Sequence, residues 1–130
     1  MSRFPARLRR AGISPARLLE MQGFCGQYRD YKRAVRLAHA GIVDREPGRG
    51  AWHRPDPTGG EALALAAMPE ARKARLIEDC AAAVAEPCIA EAIIRSVADG
   101  ATWRALRAPV GERQFYILRQ LFYIELDRRL

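Results

Sequence analysis

The chain predicts an all-α protein: a helical bundle with a long amphipathic helix near the N-terminus and a helix-turn-helix near the C-terminus. Apolar residues return every three or four positions over most of the length, the spacing of one helix face. Proline stands at the start of several such runs, at Pro15, Pro57 and Pro87, and glycine closes others, at Gly41 and Gly100. Half of the residues are hydrophobic but only 8% are aromatic, with Ala, Leu and Arg prominent, a composition that favours helices. At 130 residues and 14.6 kDa the chain holds one domain with a real core and is short for two.

Residues 1–13 hold Arg3, Arg7, Arg9 and Arg10 with little periodicity. They read as a basic arm, either disordered or following a polyanion and ordering on it. Ser14-Pro15 is a helix start, a capping hydroxyl followed by a proline whose missing N–H costs nothing there. From it Leu18, Met21, Cys25, Tyr28, Tyr31, Val35 and Ala38 make one apolar stripe, which predicts a helix over 14–40. Arg17, Arg29, Lys32, Arg33 and Arg36 lie on the other face. Gly23 and Gly26 within it mark a close helix crossing or a break.

Residues 41–56 are a Gly/Pro-rich linker. Gly48 and Gly50 lack the Lys-Ser/Thr of a phosphate loop and are turn residues. Neither His39 nor His53 has a Cys, His or carboxylate at ligand spacing, so no metal site and no cofactor are expected. Residues 57–86 are a helical scaffold. Asp56 caps and Pro57 opens its first helix, with Leu63, Leu65 and Met68 inward. Pro69 breaks it, and the next helix, to Glu86, turns Leu76, Ile77, Cys80 and Val84 inward beside the small run Ala81-Ala82-Ala83.

Residues 87–130 carry the helix-turn-helix. Pro87 opens its first helix, Asp99-Gly100 closes it, and Ile89, Ile93, Ile94 and Val97 share a face. Thr102 caps a short second helix with Trp103, Ala105 and Leu106 inward and Ala105 at the close crossing; Val110 plugs the turn. On the third helix Phe115, Leu118 and Phe122 face the core. Arg113, Tyr116 and Gln120 project away from it with Arg119 and Tyr123 beside them. Pro109 in the turn and Gly111 at the third helix's cap are irregular. Ile117, Leu121 and Ile124 form a second apolar stripe there, which needs cover from the 14–40 helix or from a second copy of the chain.

Net charge is +7 with a pI near 10.0, suited to a polyanionic partner. Residues 1–50 hold 11 Lys/Arg against 4 Asp/Glu, residues 51–100 hold 5 against 8, and residues 101–130 hold 6 against 3. Both ends are therefore basic and the middle acidic. The start lacks the apolar core of a signal peptide, and no apolar run is long enough to span a bilayer, so no membrane partner is expected. Three cysteines without C-x-x-C spacing predict free, buried thiols and a reducing cytoplasm. Paired acids with shared work should lie on one helix face, whereas Glu78 and Asp79 are adjacent, and no Ser has a patterned His partner; an enzyme is not expected.

The run GATWRALRAPVGERQFYILRQLFYIEL, with DPTGGEALAL upstream, resembles the ArpU/RinA-type transcriptional regulators of phages and prophages. The matching residues are Asp56, Pro57, Thr58, Trp103, Phe115, Tyr116 and Arg119, within residues 55–130; Gly111 departs from the Ser of that pattern. The resemblance implies a sigma-factor-like C-terminal helix-turn-helix and DNA binding in control of late phage genes. On the residues themselves, Arg113, Gln114, Tyr116, Ile117 and Gln120 are the candidates to read base edges. Arg104, Arg107, Arg119 and the N-terminal arginines are the candidates to hold phosphates. The partners expected are double-stranded DNA, RNA polymerase and a second copy of the chain. The alternative is a non-enzymatic adaptor, associated with polymerase or packaging, that uses the same helices to bind protein.

Overall fold

Helix punctuation in this chain is chemical. Ser14 accepts the amide of Arg17 at 3.1 Å, Glu86 accepts those of Cys88 and Ile89 at 3.3 Å each, and Thr102 accepts that of Ala105 at 3.3 Å. A computed structural model describes residues 3–43 and 59–130, and among these no strand occurs. Eight helices follow: α1 (Ala6–Arg10), α2 (Pro15–Gly26), α3 (Tyr28–Val43), α4 (Gly59–Ala67), α5 (Pro69–Val84), α6 (Pro87–Asp99), α7 (Trp103–Leu106) and α8 (Glu112–Arg129). They divide into two units, one of Met1–Tyr28 with Leu76–Leu130 and one of Arg29–Arg75.

In the first unit α2, α6 and α8 pack on one another, α1 lies on α8, and α7 touches both α6 and α8. The largest fully buried side chains are Leu8, Met21, Cys25, Ile77, Cys80, Ile93, Phe115, Phe122 and Leu126. Truncating one of the two phenylalanines to Ala would remove about 3–5 kcal/mol, the usual cost of a large cavity. Arg17 Nε donates to Asp127 Oδ1 at 2.7 Å and joins the start of α2 to the end of α8. The Tyr28 hydroxyl donates to Glu78.

Several expectations change here. The arm is not featureless: α1 buries Leu8, and Ile13 is buried just beyond it, after Gly12 turns through φ +84°. Leu8 inside the helix and Ile13 just past its glycine stop anchor these five helical residues. The helix expected over 14–40 is two helices, because Gln27 leaves helical geometry at φ −95°, ψ 7° directly after Gly26. The residues of the expected stripe are nonetheless buried on each side of the break, Met21, Cys25 and Tyr28 in the first unit and Tyr31 in the second.

In the second unit α3 runs to Val43, three residues into the expected linker. Tyr31 and Ala74 are buried, and the Lys73 ammonium stands 5.5 Å from the Tyr31 ring centroid, a cation–π contact. The expected break occurs: α4 ends before Met68, and Pro69 takes the first position of α5. Leu63 is not inward but 72% exposed, while Leu65 and Met68 are half-buried. Of the alanine run, which belongs to the first unit, only Ala81 is buried. Trp52, His53, Gly48, Gly50, Asp56, Pro57 and Thr58 lie outside the described residues.

Candidate nucleic-acid interface

The residues proposed to meet nucleic acid stand on α7, the turn after it and α8, and the sequence sets each of these locally. Pro87 opens α6, and Gly100 ends it in the left-handed conformation, φ 72° and ψ 17°. Thr102 then starts α7, a single turn in which Trp103 and Leu106 are half-buried. Ala105, expected at a close crossing, is exposed. With only four residues in the helix, the face shared by positions 103 and 106 points inward and position 105 falls opposite.

The turn is closed by Trp103. Its indole Nε1–H donates to the Val110 carbonyl at 2.8 Å, and its backbone N–H approaches the Tyr116 hydroxyl at 3.5 Å, a weak contact. Within this loop Arg107 holds φ 52° and ψ 41°. Gly111 begins α8 with no side-chain cap, as its lack of a hydroxyl requires.

On α8 the side chains divide in two. Phe115, Phe122, Tyr123 and Leu126 are buried and Leu118 half-buried. Tyr123, expected on the outer face, is inside, because α8 is held by α2 as well as α6 and so buries a wider arc than one stripe. Burial raises the Tyr123 phenol above its ordinary range, helped by nearby Cys25 and opposed by Arg119. The same burial pushes the Cys25 thiol up to about 12, with Cys80 adding to the effect, and the Cys80 thiol up to about 11. Both thiols are thus protonated and enclosed. Cys88, on α6, is exposed rather than buried.

Of the candidate contacts, Arg104, Arg107, Arg113 and Gln114 are exposed, the first two at α7 and the others in the first turn of α8. Tyr116, Ile117, Arg119 and Gln120 are half-buried. Arg119 is committed inward: Nη1 donates to Ser96 Oγ of α6 at 3.0 Å, and its guanidinium carbon lies 4.5 Å from the Tyr116 ring centroid. Tyr116 in turn meets the Phe115 ring edge-on at 5.5 Å between centroids. Ser96, Arg119, Tyr116, Trp103 and Val110 thereby link α6, α8, α7 and the turn. Sequence projection missed this chain because it places side chains by angle alone and does not know which neighbour offers an acceptor.

Leu121 is 37% exposed between half-buried Ile117 and Ile124. Among the described residues no three His, Cys, Asp or Glu side chains converge as a metal site would need, and no helix is long and apolar enough to cross a membrane. Comparisons with protein-family models, with curated proteins and with solved structures return no match.

Proposed function

We propose that the chain is a DNA-binding transcriptional regulator of phage or prophage type that docks α7 and α8 as a helix-turn-helix. The observation that supports this reading best is the division of α8. Phe115 and Phe122 fix it in the core while Arg113 and Gln114 stand exposed in its first turn, the part of a recognition helix that meets base edges. A guanidinium and a carboxamide are the groups that pair bidentately with guanine and adenine. Arg104 supplies a phosphate contact beside them, and Ile117 and Gln120 stand one turn behind. Tyr116 and Arg119 hold the helix angle in this reading rather than touching DNA. The N-terminal arginines add phosphate contacts, and RNA polymerase and a second copy of the chain are the further partners.

The test is selection of a duplex from a random pool, followed by titration of that duplex and a scrambled one at two salt concentrations. Arg113→Ala should lose about 1–3 kcal/mol on the selected duplex and much less on the scrambled one. Equal losses on both would remove the base-reading role.

A second reading, the protein-binding adaptor, draws on Leu121, an exposed apolar side chain in the middle of α8. Failure to enrich any sequence, together with no duplex binding at low salt, would favour it.

A further inference from the structure

We propose that Arg107 is the phosphate grip of the turn, an arginine that stands where its own backbone conformation favours glycine. The inference rests on the DNA-binding reading above and assigns this residue a defined part in it.

Three described residues adopt left-handed backbone: Gly12, Gly100 and Arg107. At the first two the chain uses glycine, the residue with no Cβ to crowd the carbonyl. At the third, also the end of a helix, it uses arginine. An L-residue with a long side chain is disfavoured in this region, and where such a conformation persists the surroundings must impose it. Arg107 lies inside the segment that the hydrogen bond from the Trp103 indole to the Val110 carbonyl closes.

Nothing within the fold asks for a guanidinium at this point. The Arg107 side chain is exposed, and among the described residues it makes no hydrogen bond, ion pair or ring contact. Glycine would satisfy the backbone better. What arginine adds is a charge, in a stretch that also carries Arg104 and Arg113, with Glu112 the only acid between residues 101 and 120. An exposed guanidinium with no partner among the described residues is free to meet a phosphate without first breaking a contact.

The experiment compares the full chain with Arg107→Gly, Arg107→Gln and Arg107→Lys, measuring melting temperature and the affinity for the selected duplex as a function of salt. Arg107→Gly should melt at or above the wild-type temperature yet bind severalfold more weakly. Its slope of log affinity against log salt should shrink by about 0.9, the value of one phosphate contact. Arg107→Gln should show the same shallower slope without a gain in melting temperature, and Arg107→Lys should keep the wild-type slope.

Wild-type affinity and slope in Arg107→Gly, with duplex binding itself intact, would overturn this assignment and leave the DNA-binding reading standing. A fall in the melting temperature of Arg107→Gly would also overturn it, since the side chain would then be serving the fold. A wild-type chain that binds no duplex at low salt would remove the DNA-binding reading and this inference with it.

Discussion

The guanidinium of Arg119 donates to the hydroxyl of Ser96 across 3.0 Å, and Ser96 is buried in the wall of α6 that faces α8. The bond makes a residue that sequence projection places among the phosphate contacts into the bolt between two helices. Its guanidinium also stacks on the Tyr116 ring one turn earlier on α8, so the side chain that reaches α6 is itself held on its own helix.

Arg119→Ala should therefore destabilise the chain by about 1.5–3 kcal/mol, the usual worth of a hydrogen bond to a charged group. Ser96→Ala should cost about 1 kcal/mol. Chemical denaturation of both variants and the double mutant should give a coupling energy of at least about 0.5 kcal/mol. Additive losses would mean that the two groups do not act together.

Gly23 lies inside α2, and a Cβ built on it meets nothing within 4 Å. It serves no close crossing within the described residues, only the entropy of a looser unfolded chain and a weaker helix. Gly23→Ala should stabilise by about 0.5–1 kcal/mol, read as a rise in the denaturation midpoint. A loss of stability would show that α2 needs its flexibility.

Cys25 and Cys80 carry raised pKa values, about 12 and about 11 against an ordinary 9.0. Raised values favour the neutral thiol in the folded chain, so their contribution to stability is complete below pH 9. It is lost as pH climbs from there through 11 and 12. Tyr123 acts in the same direction at higher pH. The denaturation midpoint should fall above pH 9, and a thiol reagent at neutral pH should label only exposed Cys88 in the native state, with the other two reacting on unfolding. Rapid labelling of three thiols in the native state would contradict the burial.

The parts of the fold that were legible are those written in local chemistry. Pro87, Gly100 and Thr102 mark the ends of α6 and the start of α7 because proline, glycine and threonine act on their own backbone, and Pro69 divides α4 from α5 in the same way. Hydrophobic period located most core positions of α2 and α8. What escaped depends on neighbours. Tyr123 is buried because a second helix covers it, Ala105 is exposed because α7 stops after one turn, and α1 exists because α8 offers a surface for Leu8. Of the candidate contacts, Arg113 and Gln114 lie outward, as the helical projection of Arg113 requires, and Arg119 turns inward because Ser96 supplies an acceptor 23 residues earlier in the chain.

The ion pair between Arg17 and Asp127 joins positions 110 residues apart, and α1 lies on, and α2 packs partly against, a helix that starts at Glu112. On the ribosome these two helices emerge well before their partner exists. Too short to persist alone, they must wait as fluctuating segments with Leu8 and Met21 in water. Contacts across so long a stretch of chain form slowly, so the core of this unit is completed only once α8 has joined α2 and α6. During that interval the chain is open to proteases and to holding chaperones, and a ribosome halted before Glu112 displays an N-terminal segment without the surface of α8.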